Sequence, residues 1–255
     1  MNQSEVLSNE NCQTLVDLLL KGNDDFFKKM KEESEKYRIN SAAENGRVNI
    51  IDSRLIKELD EKKINFIQDY NIKTAGHSWD YGEYICETSF GRFLFIVKSS
   101  DALKRAFAKS SDDENLLEQE DKKYIDDYLE INKRMIRQSK APVEGLFEQP
   151  IPLFEDEKVT IISLIADEEI HEDIDYFFVL VYKTSGERLI GAQLIFPNPV
   201  TNDLRLAQDL TEYIQSSQFN STDNSQQNTS TTSPQESDDD IASFDERIAE
   251  ARESK

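Results

Sequence analysis

At 255 residues the chain is long enough to bury a core, and with only 8 glycines and 6 prolines it favours long regular elements over a loop-rich all-β fold. Its 51 acidic and 30 basic side chains give a net charge of −21. Such a surface repels polyanions, so direct nucleic-acid binding is not expected, whereas a basic protein partner is easily accommodated.

The first residues, "MNQSEVLSNENCQTLVDLLL", lack a basic leader and their apolar run is broken by Asp17. They read as neither signal peptide nor anchor, and no membrane span is expected. Cys12 and Cys86 are too few and too far apart for a disulfide framework or a clustered zinc site, so a reduced cytoplasmic chain without metal or cofactor is expected. Leu15, Leu18 and Leu19 share a face over residues 9–21, with Gly22 as a cap, and a second helix is expected over Asp24–Arg38. These N-terminal helices occupy residues 1–40. Residues 39–50 read as a loop. Leu55, Ile56, Leu59, Ile64, Ile67 and Tyr70 carry a helical period from Ser53 to Tyr70, with "DSRL" as its start.

The pattern then changes. "YGEYICETSFGRFLFIVKSS" predicts a β-hairpin, Tyr84–Thr88 and Arg92–Lys98, turning near Ser89–Gly91. "RFLFIVK" is apolar on both faces, the mark of a central strand covered on both sides. A helix of about ten residues is expected from Asp101, and a longer one from Asp113 to Lys140, ended by Pro142. Strands follow at Val159–Asp167, Asp175–Lys183 and Arg188–Phe196, with "TSGE" as the last turn. Pro197-Asn198-Pro199 is expected to end the sheet, and "NDLRLAQDLTEYIQ" reads as a helix. The expected fold is α+β: an antiparallel sheet of about five strands, hairpin plus three-stranded meander, covered by helices, in a single domain over residues 1–217.

From residue 218 to 240 the chain is a Ser/Thr/Asn/Gln tract that buries too little to fold alone. Nine acidic and three basic residues after Ser217 give the tail −6, leaving −15 on the body. In residues 241–255 a Ser243–Glu246 capping box and an Ile241/Phe244/Ile248 stripe predict a short amphipathic helix that binds a partner or the chain's own domain.

Chemical motifs are sparse, and the sequence assigns no reaction. P-loop, GxSxG, HExxH and CxxC patterns are absent. His171 lies in the acidic "ADEEIHEDID", where neighbouring carboxylates would raise its pKa. "GHSWDYGEY" gathers His77, Trp79, Asp80, Glu83 and Tyr84, with Glu87 and Arg92 at the following turn. His77 with Asp80, Glu83 or Glu87 could act as acid and base, and Arg92 could hold an anion. The other reading of this stretch is a loop with Trp79 as a core plug.

The stretches "HSWDYGEYICETSFGRFLFIVKSS" and "YFFVLVYKTSGERLIGAQLIFPNPVTNDLRLAQDLTEYI" resemble an uncharacterised family of low-GC Gram-positive bacteria and their mobile elements. Some of its members are described as protease-sensitive toxins encoded beside a helix-turn-helix antitoxin. The likeness spans about residues 45–216 and carries over no catalytic residues. It implies a cytosolic growth-inhibiting component of a toxin–antitoxin or phage-defence module, controlled by a protein partner. The acidic body departs from the basic character of toxins that cut RNA. Composition alone supports a different class, a non-enzymatic acidic interaction module or adaptor. A DNA mimic ranks third, because the body's acids are interspersed with 27 bases.

Overall fold

The computed structural model describes residues 5–36, 46–75, 79–107, 119–138, 173–200 and 203–220. Helix α1 runs unbroken from Asn9 to Lys36, through the Gly22 expected to cap it. A Cβ at Gly22 would lie 2.8 Å from the Cα of Ile51. The missing side chain therefore serves a close helix crossing, not a helix end. Its partner, α2 (Arg47–Asp60), begins within the expected loop and ahead of the expected start at Ser53. It buries Ile51 and Leu55 against Leu15 and Leu19 of α1 in a common core.

Lys62, at φ 55, turns the chain out of α2. Ile64, Phe66 and Ile67, read from the sequence as more helix, enter the core as extended chain leading into β1 (Ile67–Ala75). Strands β2 (Trp79–Thr88) and β3 (Gly91–Ser99) form the expected hairpin, with Gly91 at φ 142 beside the turn, but β2 starts at Trp79, not Tyr84, because residues 79–83, alternatively read as a loop, pair with β1. Helices α3 (Ser100–Phe107) and α4 (Gln119–Gln138) follow, then β4 (Tyr176–Ser185) and β5 (Arg188–Asn198). The expected helix at 202–215 is instead strand β6 (Asp203–Asp209) followed by a single turn, α5 (Glu212–Ser216). Pairing with β5, Ile195 to Leu206 and Pro197 to Leu204, overrides the helical propensity of this Leu/Ala/Gln-rich segment. Pro197-Asn198-Pro199 thus ends a strand but not the sheet.

The fold is α+β as expected, with two corrections to the sheet. It has six described strands in the order β1-β2-β3-β4-β5-β6, and it is mixed. The β3–β4 pair is parallel, with Phe95 opposite Phe178, and all other pairs are antiparallel. A parallel pair requires a crossover, and α3 and α4 lie in that connection. The expected strand Val159–Asp167, His171, the start of the 113–140 helix, and Ile241, Phe244 and Ile248 of the tail lie outside the described residues.

The central strands are buried on both faces, as "RFLFIVK" predicts. Phe93, Phe95, Phe178, Leu180, Leu194 and Phe196 face the core shared with α1, α2 and α5. Leu94, Ile96, Phe177, Val179 and Ile195 face Leu103 of α3 and Leu129 and Ile131 of α4. Among the described residues no helix is long and apolar enough to cross a membrane.

Candidate functional site

Strand β2 pairs with β1 from Trp79 to Cys86, but with β3 only as far as Glu83 opposite Ile96. Beyond Glu83, toward its N-terminal end, β2 leaves the β3 ladder. The Gly82 N–H needs another acceptor, since a buried unpaired amide costs about 1–3 kcal/mol. Asp52 of α2 supplies it. Its Oδ2 accepts from Gly82 N–H at 3.2 Å, and its Oδ1 accepts from the Tyr84 hydroxyl at 2.8 Å. Tyr84 stacks on Phe95 at 5.0 Å and reaches back over Gly82, where a Cβ would lie 2.3 Å from its hydroxyl oxygen. Only glycine fits there.

Asp52 is 4% exposed. Burial pushes its pKa up to about 7, against the opposing hydrogen bonds from Tyr84 and Gly82 and the charge of Lys98. Burial also holds the Tyr84 hydroxyl well above its ordinary range, so it stays protonated and donates.

Glu83 points to the opposite face and is fully buried. It accepts from the Tyr128 hydroxyl at 2.7 Å and from Asn71 Nδ2 at 2.8 Å. Because Tyr128 donates to Glu83, the Tyr81 hydroxyl, 3.0 Å away, donates to Tyr128. Burial raises both phenols. Two consecutive side chains of β2 thus join separate polar networks, Tyr84 with α2 on one face and Glu83 with α4 on the other.

Of the other sequence candidates, Asp80, Glu87 and Arg92 are not gathered around these groups. Asp80 is exposed and accepts from Thr74 Oγ1 at 2.7 Å. Glu87 is exposed and sits opposite Arg92 in the ladder. Seven residue steps of strand separate Asp80 from Glu87, about 23 Å at roughly 3.3 Å per residue. Arg92 pairs with Asp173, and its backbone N–H donates to Asp175 Oδ2 at 3.1 Å. His77 lies outside the described residues, as does the side chain of Trp79.

Sequence reasoning missed Asp52, read only as part of a helix start, and missed Asn71 and Tyr128 as partners of Glu83, with Tyr81 behind Tyr128. It also missed Asn132, which is fully buried on α4. Its Nδ2 donates to the carbonyls of Phe177 and Pro197 at 2.9 and 2.8 Å, and its Oδ1 accepts from Phe177 N–H at 2.7 Å. The available signal was a polar residue within the apolar stripe Leu129, Ile131, Met135.

An open cleft of about 880 Å³ lies between α1, the start of α2 and the ends of β3 and β4. Phe26, Phe27, Met30 and Tyr182 contribute its apolar lining, with Lys31, Arg47, Asp101 and Glu187 among the charged groups around it. The Arg47 guanidinium stacks over Phe26 and Phe27, 4.9 and 4.8 Å from the ring centres. Arginine held this way keeps its charge while packing as an apolar wall.

No protein-family model, curated protein or solved structure matches this chain.

Proposed function

We propose that this chain is a non-enzymatic acidic interaction module that holds a segment of a partner protein in the cleft beside Arg47. The observation that carries this reading is the cleft itself, which combines aromatic side chains with charges of both signs. Aromatic side chains and an arginine set among charged groups are residue types that anchor protein partners. Two further points support it. Asp52, Glu83 and Tyr84, the buried polar groups of the candidate stretch, are occupied by internal hydrogen bonds. The body's charge of −15 favours a partner with basic side chains.

The test is comparative capture. The full chain, Phe27→Asp and Arg47→Glu would each be used as bait, with captured proteins quantified by mass spectrometry. A protein held by the unmodified chain and lost from both folded variants is the expected result. Identical profiles for all three baits would sink the cleft as the binding site.

The growth-inhibiting role is the second reading, resting on the resemblance of about residues 45–216 to an uncharacterised family, some members of which are described as toxins encoded beside a helix-turn-helix antitoxin. On that reading the cleft occupant, or another contact, is a helix-turn-helix antitoxin. Inducing the chain alone in a low-GC host should then slow growth, and the antitoxin should relieve it. Unimpaired growth at confirmed expression would leave the interaction module standing without toxicity.

A further inference from the structure

β1 forms one edge of the sheet, and among the described residues no strand lies beyond it. Its outward groups follow from the hydrogen-bond alternation. The Glu87 N–H donates to the Phe66 carbonyl, so the odd-numbered residues of β2 turn their backbone groups toward β1. Their partners Asp69, Asn71 and Lys73 are therefore bonded inward, and Tyr70 and Ile72 present N–H and C=O to the outside. Consistent with this, the Tyr70 N–H bonds the Asp69 carboxylate at 2.9 Å instead of a strand. Ile72, at 62% exposure, is a large apolar side chain in the middle of this edge.

The stretch Asp69-Tyr70-Asn71-Ile72-Lys73 is complementary to itself when run antiparallel about Asn71. Asp69 falls opposite Lys73, and Tyr70 opposite Ile72. Among the described residues neither Asp69 nor Lys73 has an ion-pair partner. The pairing also matches the backbone. It makes Asn71 a non-hydrogen-bonded pair and Tyr70/Ile72 hydrogen-bonded pairs, as the outward groups require. A register shifted by one residue would set the outward groups against inward ones and lose this match.

We propose that β1 is a docking edge for a second copy of this chain, joined antiparallel with Asn71 on the twofold axis. Tyr70 and Ile72 of each copy exchange N–H···O=C bonds across the axis, and Ile72 packs on Tyr70 of the other copy. The Asp69 carboxylate turns from the Tyr70 amide to Lys73 of the other copy. A single strand edge makes a small interface, so association is weak and concentration-dependent. The surface is separate from the cleft, and the inference stands apart from the proposed function.

The test uses the full chain. Sedimentation equilibrium from micromolar to millimolar concentration should show the mass rising from 29.4 kDa toward twice that value. Lys73→Glu places like charges opposite each other and should weaken association about tenfold or more. Asp69→Lys combined with Lys73→Asp restores the pairs in swapped form and should restore the dimer. Amide exchange on the unmodified chain keeps the test independent of the variants' folding. At micromolar concentration the Ile72 amide should exchange freely and the Tyr70 amide should be slowed only by its bond to the Asp69 carboxylate, and both should become protected at millimolar concentration. A chain that is monomeric at millimolar concentration overturns the proposal, as does a dimer indifferent to Lys73→Glu or a swapped variant that stays apart. Protection of both amides in the dilute monomer also overturns it, because another segment of the same chain would then hold the edge.

Discussion

Replacing Asp52 with Asn tests whether a buried carboxylate at the β2–β3 divergence is a cost at neutral pH. Burial lifts its pKa from 3.8 to about 7. The folded chain therefore binds a proton more tightly than the unfolded chain. Stability from this group is intact below 3.8, falls as pH rises toward 7, and stays reduced above it. A rise of about three units corresponds to on the order of 4 kcal/mol. The isoelectric point near 4.5 makes work below pH 5 impractical, and about 3 kcal/mol of the effect lies between pH 5 and 8. The asparagine carbonyl can still accept from the Gly82 N–H, its amide nitrogen can donate to the Tyr84 hydroxyl oxygen where the carboxylate accepted, and neither carries the pH-dependent charge. Urea unfolding of both proteins, followed by circular dichroism at pH 5, 6, 7 and 8, isolates the group, since the other carboxylates cancel in the difference. Relative to the unmodified chain, Asp52→Asn should gain about 3 kcal/mol between pH 5 and 8, roughly 6–12 °C in melting temperature for a domain of this size. A difference that stays flat with pH would refute the reasoning. It would mean that the Tyr84 and Gly82 hydrogen bonds and Lys98 outweigh burial and keep Asp52 ionised throughout.

Gly22→Ala should destabilise by about 1–3 kcal/mol in thermal melts, because the new Cβ meets the backbone of Ile51 at 2.8 Å. At an unconstrained helical site the same change would gain up to about 1 kcal/mol, so a stabilised variant would deny the close crossing. Tyr128→Phe removes a donor from buried Glu83 and the acceptor of Tyr81, and should cost about 1–3 kcal/mol in urea unfolding; an unchanged midpoint would deny the network. Cys12 and Cys86 are buried, and burial pushes the first thiol up to about 12 and the second well above its ordinary value. Both should resist a thiol reagent at pH 8 until the chain is unfolded, and rapid labelling of the native protein would contradict their placement.

The strands legible in the sequence were those whose pattern allows one answer. β3 is apolar at consecutive positions, and β4 is nearly so, because each is covered on both faces. Where the pattern fitted two answers, pairing decided. Ile64, Ile67 and Tyr70 are as consistent with a helix turn as with the entry to a strand, and Leu204, Leu206 and Leu210 are equally ambiguous. What separates the alternatives is a ladder to β2 or β5, which no local window contains. Gly22 shows the same limit at a single residue, since a helix cap and a helix crossing both call for a missing side chain. The polar sites were harder still. Asp52 meets Gly82 and Tyr84 across about thirty residues of sequence, and Glu83 meets Tyr128 across forty-five. Only the assembled layers turn these ordinary surface residue types into buried partners.

The two networks also explain why "YGEY" concentrates so much polarity in a buried strand. Apolar packing fixes a helix on a sheet loosely, because a shift of one contact costs little when all contacts are alike. A buried carboxylate with fixed donors tolerates no such shift, since each lost bond leaves a desolvated group behind. Asp52 ties α2 to Gly82 and Tyr84 on one face, and Glu83 ties Tyr128 of α4 on the other. Asn132 adds a second tie from α4 to β4 and β5. Arg47 belongs to the same helix as Asp52 and walls the cleft by stacking on Phe26 and Phe27. The carboxylate that costs stability at neutral pH therefore also sets where one wall of the cleft stands. The buried side chains of this stretch thus hold two helices in register on opposite faces of one strand.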